Sequence, residues 1–404
     1  MTEELADFLL SSAGRTLLTD ADALLAARAD TLTALTHLRR SATSEQASAA
    51  WEMADLRKRG QAKFGPLSAQ MYFVREALEQ ASGMRVADYH AARLKAAGLP
   101  HVADLGGGIG GDALAFARAG LTVTLTERDP VRARFAAENA AVWGVSERLT
   151  VHVDDLLTLP APSADTAVWL DPARRQNSRR VSDPEDYSPP LSWLDTLPAS
   201  AVGVKLSPAI DHALAARYGA ELEFLSEGGE CREALLWRGA AQTGDALRAT
   251  LLSADGPPTL TGPADIPGDT ALAASGRYLY EPDPAVIRAH LVGTLGRQID
   301  ALPVDPHIAY LLGDTLLPTP YAAAYEVWEQ FPYHRKRLQA ALTARNAGRV
   351  IIKKRGFPLE PEEIRKSLKL RGPEEVTVIL ARVGSGHQVF LCGPVNFADT
   401  NLQK

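Results

Sequence analysis

Thiols are scarce in this chain: Cys231 and Cys392 are the only cysteines among 404 residues, and they lie far apart. That excludes a disulfide framework and any zinc or iron–sulfur cluster built on cysteines. It fits a reducing compartment, so a cytoplasmic location and no metal are expected. Long apolar runs are missing too. The N-terminal MTEELADFLL is acidic, its apolar stretch is too short for a signal peptide, and no later run approaches membrane-span length. No membrane partner is therefore expected. Aromatics make up only 6%, but hydrophobic residues reach 46% and charged residues 23%, which excludes disordered and fibrous classes. The length allows two to four domains with real cores.

Against this background one stretch stands out, Val102 to Asp112, read VADLGGGIGGD. An apolar strand-like run meets a glycine cluster and continues into the helical pattern Ala113-Leu114-Ala115-Phe116-Ala117-Arg118. Strand–glycine–helix junctions let backbone N–H groups approach a ligand without Cβ obstruction. Gly106, Gly108 and Gly111 satisfy the dinucleotide fingerprint G-x-G-x-x-G, which alone is weak evidence. Asp104 decides between ligands. A carboxylate at the end of a buried strand is costly unless something polar binds it. A pyrophosphate would be repelled there, whereas the cationic amino acid end of S-adenosylmethionine (SAM) would be held. The bland alternative is a strand-end Asp capping the next turn. The expected SAM ligands in the loop are Asp104, Gly106, Gly108 and Gly110.

From His101 to about Arg238 strands and helices alternate, as in a doubly wound parallel sheet, here expected with seven strands. The second strand, Leu121 to Thr126, ends in Glu127, placed to accept the hydroxyls of an adenosine ribose. Asp129 before Pro130 reads instead as a helix start. The third strand ends in Asp154-Asp155, and Asp155 is the expected acceptor for the adenine amine. The fourth strand, Thr166 to Leu170, runs into Asp171-Pro172-Ala173-Arg174-Arg175 at the sheet edge where the transferable group should lie. Amino-group methyltransferases often carry Asp/Asn-Pro-Pro-aromatic here. Asp171 and the carbonyl of Pro172 fit that pattern as the catalytic pair, but Ala173 and Arg174 replace the second proline and the ring. Tyr187 or Trp193 would have to supply a ring from the next loop. Arg174 and Arg175 are expected to meet substrate phosphates.

Charge is unevenly spread. Between Tyr333 and Arg371 there are twelve Lys/Arg against three Glu, a local +9 in a chain of net −6, which leaves −15 for the rest. Such asymmetry points either to a polyanion partner or to a merely solvated helix face. The chain divides into a helical region (1–97), the alternating sheet domain (98–240), a connecting region (241–330) with a hairpin near Ala249 to Thr261, and a β-α-β-β module (331–404).

Six motifs carry a family resemblance: DLGGGIGGD (104–112), TERD (126–129), DPARR (171–175), VKLSP (204–208), GECREALLW (229–237) and KKRGFPLEPEEIRKSLKLRG (353–372). With them the chain resembles, over roughly residues 50–395, the class I SAM-dependent methyltransferases of a bacterial group with a THUMP-like C-terminal domain. The resemblance implies a Rossmann-like sheet with an N-terminal helical region, a ferredoxin-like connecting unit near 275–320, and RNA binding by the tail. Lys353, Lys354 and Arg355 are the tail residues expected to touch RNA. The expected activity is methylation of an exocyclic amine of a base in rRNA or tRNA. Two rivals remain open: a SAM enzyme acting on a protein or small molecule, and a non-enzymatic RNA-binding protein. An NAD oxidoreductase would need a hydride-transfer site that the sequence does not offer.

Overall fold

The computed structural model describes residues 1–395, apart from 174, 177–178, 181–182, 198–199, 245–246, 267 and 269–270. Two compact units divide the chain: residues 1–220 with 235–243, and residues 221–234 with 244–404.

The first unit opens with six helices: α1 (Glu3–Leu10), α2 (Ser12–Ala26), α3 (Thr31–Leu38), α4 (Ser44–Phe64), α5 (Arg75–Gln80) and α6 (Met84–Ala96). Their starts follow capping chemistry. Thr2, Ser11, Asp30 and Thr43 each accept a backbone N–H at a helix start, and Thr43 with Gln46 forms a reciprocal capping box. Then come β1 (His101–Leu105), α7 (Gly111–Arg118), β2 (Thr122–Glu127), α8 (Pro130–Val142), β3 (Leu149–Val153), β4 (Thr166–Leu170) and β5 (Ala201–Leu206). As the sequence led one to expect, Asp129 caps α8 through the N–H groups of Val131 and Arg132, with Pro130 in the first turn.

Four further strands, β6 (Glu221–Glu227), β7 (Glu230–Gly239), β8 (Leu247–Leu252) and β9 (Thr259–Gly262), complete a sheet of order β9-β8-β6-β7-β5-β4-β1-β2-β3. The expected seven strands are present, and the hairpin β8–β9 extends the edge to nine. The pairs β1–β2, β1–β4, β2–β3 and β4–β5 are all parallel. Every residue of β5 is buried, as suits a strand covered on both faces. Strand order reverses beside β1, so the crevice between the ends of β1 and β4 is the switch point where such sheets bind ligands. Beneath it the ring of Trp169, fully buried on β4, lies against His90, Phe116 and Trp237 at centroid distances of 4.4, 5.7 and 5.8 Å.

In the second unit a seven-stranded sheet combines β10 (Tyr278–Pro282), β11 (Leu302–Asp305), β12 (Ile308–Gly313), β13 (Ala322–Pro332), β14 (Ala347–Arg355), β15 (Glu374–Val383) and β16 (Gly386–Pro394). Its order is β11-β12-β10-β13-β16-β15-β14. The strands of the expected connecting unit thus share one sheet with those of the tail module, and residue 330 falls inside β13. After the short helices α9 (Ala213–Arg217), α10 (Pro284–Arg288) and α11 (Val292–Gln298) come α12 (Arg335–Ala344) and α13 (Pro361–Ser367), which cover one face of it through Leu338, Leu342 and Ile364. A separate apolar cluster around Tyr310 and Phe390 fills another part of the module.

Candidate cofactor and acceptor site

The glycine loop is held tightly. Gly106 and Gly107 both donate to the carbonyl of Thr126 on the neighbouring strand. Gly106 has φ +82°, which a side chain would strain. Gly107 is needed for space, because a Cβ there would come within 2.6 Å of the Leu125 side chain and 2.8 Å of Asp104 Oδ2. Glu127 is buried, and its carboxylate accepts from the N–H of Gly108 (3.0 Å) and of Asp129 (2.9 Å). Glu127 therefore clips the loop to the end of β2.

Asp104 is 1% exposed, and neither of its carboxylate oxygens has a hydrogen-bond partner among the described residues. Burial pushes its pKa well above the usual carboxylate value. The charges of Asp112, Asp171 and Glu127 add to that, and Lys205 opposes it. A buried acceptor with nothing donating to it is rare in a folded chain. This one is matched to a cationic donor arriving from outside, which is the chemistry of the SAM ammonium. The residues present fit the cofactor.

Asp171 follows β4 directly, and a Cβ on Gly106 would lie 3.5 Å from the Asp171 carbonyl oxygen, so the two strand ends meet at the crevice. The Asp171 side chain is 26% exposed, and its Oδ2 accepts from Lys205 Nζ at 2.9 Å. Lys205 lies near the end of β5 and donates also to Ser82 Oγ (3.1 Å) and the Gln80 carbonyl (3.2 Å). Ser82 in turn donates to Asp112 Oδ2 at 3.2 Å, and His90 Nδ1 lies 2.8 Å from Asp112 Oδ1. Burial disfavours the Asp112 charge. The His90 charge and hydrogen bond, Lys205 and the Ser82 hydroxyl outweigh it and hold that carboxyl below its usual value. Sequence reasoning assigned no role to Lys205, Ser82, Asp112 or His90. The available signals were a lysine inside an otherwise apolar strand and an acid directly after Gly111.

The other expected residues have the following surroundings. Asp155 is exposed after β3 and caps its own turn, accepting from the Leu157 N–H at 3.0 Å. Pro172 is buried and Ala173 exposed, with the Ala173 backbone paired to Ser188. Tyr187 is buried, while Trp193 lines a cavity of about 270 Å³ with His101, Thr124, Leu159 and Thr166. Tyr187, being buried, does not offer an open stacking face. Arg174 and the side chain of Arg175 lie outside the described residues. In the second unit Lys353 donates to Glu281 Oε2 at 2.5 Å, Arg355 reaches Glu281 Oε1 at 3.7 Å, and Lys354 meets Glu360 at 2.6 Å. These three, expected to touch RNA, are half-buried and ion-paired within their own module. Open cations sit elsewhere. Arg335 and Lys336 on α12, and Lys366, Lys369 and Arg371 in and after α13, are exposed and make no ion pair among the described residues. Gln339 bridges the two segments, its side chain pairing with the backbone N–H and carbonyl of Lys369.

No helix among the described residues is long and apolar enough to cross a membrane, and no group of three or more metal-ligating side chains is found among them. Comparison with known proteins adds identity to this geometry. The model of the THUMP domain-like family matches residues 322–394, and that of a domain of unknown function matches residues 3–60. A crystal structure named that of a "putative methyltransferase" from Porphyromonas gingivalis W83 shares the fold, with a TM-score of 0.73 at 21% identity, covering 95% of this chain and 99% of that one. Two Mycobacterium tuberculosis proteins, from strains CDC 1551 / Oshkosh and ATCC 25618 / H37Rv, are each named an uncharacterized S-adenosylmethionine-dependent methyltransferase. Each is 35% identical to this chain over 352 residues, covering 84% of it and 95% of the relative. With that likeness and an unpartnered carboxylate waiting at the switch point, the chain belongs to the SAM-dependent methyltransferases, an α/β enzyme that uses SAM and carries a THUMP-like module near its C-terminus.

Proposed function

We propose that the enzyme methylates an exocyclic amine of a base in RNA. The observation that carries this reading is the meeting, at one crevice, of the buried, unpartnered Asp104 and the partly exposed Asp171. Asp104 takes the ammonium of the cofactor, with Gly106, Gly108 and Gly110 bringing the backbone close. Glu127 meets the ribose hydroxyls while it clips the loop, and Asp155 meets the adenine amine. When bound, SAM supplies a sulfonium-activated methyl group. Asp171 and the Pro172 carbonyl accept the N–H groups of the target amine and turn its lone pair toward that methyl. The surplus amine proton would pass to the partly exposed carboxylate of Asp171. Positioning carries most of the rate, since the donor is already activated. A paired target base must first be unstacked.

RNA as the acceptor is supported by the THUMP domain-like match and by the exposed cations of α12 and of α13 with the segment after it. Those five side chains are the proposed phosphate ligands, together with Arg174 and Arg175, which follow Asp171 in the sequence. Lys353 and Arg355, paired to Glu281, shape the module beneath. The test is methyl transfer from labelled SAM to RNA and protein fractions of cells lacking the enzyme. Labelling of RNA by the wild type, lost in Asp171→Ala while SAM affinity stays within a few-fold, is the expected result. Labelling confined to protein, or loss of SAM binding in Asp171→Ala, overturns it.

A further inference from the structure

A lysine in the middle of a parallel sheet needs a reason. The Lys205 side chain is 5% exposed, on a strand otherwise built of Ala, Val, Gly and Leu. A buried ammonium is costly unless paired and fully hydrogen-bonded, and an apolar residue of similar size would pack there at lower cost. Lys205 has what it needs. Among the described residues its Nζ donates to Asp171 Oδ2, Ser82 Oγ and the Gln80 carbonyl. With its donors so engaged it is poorly disposed to bind a substrate. It does face Asp171, the site carboxylate that reaches the surface.

We infer that Lys205 is a positioning residue for Asp171, and that Gln80 and Ser82 of the α5–α6 connection hold it in that role. This rests on the reading of Asp171 as the carboxylate that meets the acceptor amine. The surroundings give the role its purpose. Asp112 on α7, Asp171 after β4 and Glu127 on β2 all act on Asp104 of β1 through space, and among the described residues Lys205 opposes them there, while His90 and Lys205 act on Asp112. Like charges drive a carboxyl to hold its proton, and a nearby ammonium does the opposite. A protonated Asp171 would present a hydroxyl to the amine in place of an acceptor. Lys205 thus keeps Asp171 an acceptor and fixes the orientation of its carboxylate plane. The N-terminal helical region, through Ser82 and Gln80, becomes part of the reaction site.

The experiment compares Lys205→Met, Lys205→Arg and Ser82→Ala in the full-length protein. The Asp171 ¹³Cγ resonance, assigned by difference against Asp171→Asn, is titrated without substrate. Methyl transfer to unmodified cellular RNA is followed against pH. In Lys205→Met the Asp171 titration moves up by about one unit or more, the acid limb of kcat moves with it, and kcat at neutral pH falls by roughly a hundredfold. KM for RNA and the Kd for SAM change by only a few-fold. Lys205→Arg restores the titration and part of kcat, and Ser82→Ala shifts both in the direction of Lys205→Met by less. Lys205→Gln, a donor without charge, substitutes if the methionine variant does not fold. An unchanged Asp171 titration in a folded uncharged variant, or an unchanged kcat, overturns the inference. Normal transfer by Asp171→Ala instead overturns the acceptor reading, and the titration still reports whether the pair exists.

Discussion

At the scale of single residues, Asp104 is a carboxyl whose free energy the fold raises. Its folded pKa lies above the unfolded value of about 3.9. The folded state therefore holds its proton to higher pH than the unfolded state does. Stability is lost as pH rises from about 4 through the raised folded value, where the buried group must ionise. Asp104→Asn removes that loss. In the absence of SAM the variant should melt above the wild type at pH 8, by roughly 2–4 °C for each kcal/mol of relief. The gap should shrink at pH 5, and SAM binding should disappear. Differential scanning calorimetry at the two pH values checks this; a gap that does not grow with pH refutes it. Asp104 was legible in the sequence because its meaning is local, an acid two residues before the first glycine of a strand–loop–helix junction. Lys205 was not, because its partners Asp171, Ser82 and Gln80 lie 34, 123 and 125 positions away. Only the sheet brings them together.

Among the elements, α8 is the fastener between the N-terminal helices and the glycine loop. Asn139, fully buried on α8, accepts from the Tyr72 N–H and donates to the carbonyls of Tyr72 and Ile109. Asn139→Ala leaves these backbone groups buried without partners, and urea unfolding should show a drop in stability of about 2–4 kcal/mol. SAM affinity should fall as well, since Ile109 lies within the loop. A drop below about half a kcal/mol would mean that water replaces the amide. Element identities were legible where periodicity was clean: the helical N-terminal region, the strands ending in Glu127 and Asp171, and the hairpin β8–β9. The segment Lys353-Lys354-Arg355 shows the limit. In the sequence it is a run of three cations expected to touch RNA. Placed on strand β14, Lys353 and Arg355 share a face and both find Glu281, which precedes them by about seventy positions. Charge density in a sequence does not say which charges are already answered.

For the molecule as a whole, the net −6 coexists with an exposed cationic surface on α12, α13 and the segment after it. Reversing two of its charges, Arg335→Glu with Lys369→Glu, should weaken RNA binding while leaving SAM affinity unchanged. The slope of log K against log salt should flatten by roughly 0.7 for each single-strand phosphate that the variant no longer neutralises. Fluorescence anisotropy across a salt series reads both quantities. An unaltered slope would place the RNA-binding surface elsewhere. Finally, the hydrogen bonds from Lys205 to Gln80 and Ser82 bear on inheritance. A recombination event that joined the sheet domain, cut at residue 97, to a new N-terminal partner would carry over Asp104, Glu127 and the glycine loop. It would strip Lys205 of its Gln80 and Ser82 acceptors. Such a chimera keeps the cofactor cradle and loses the support of Asp171, so selection should pass the helices and the sheet on together, as one heritable block.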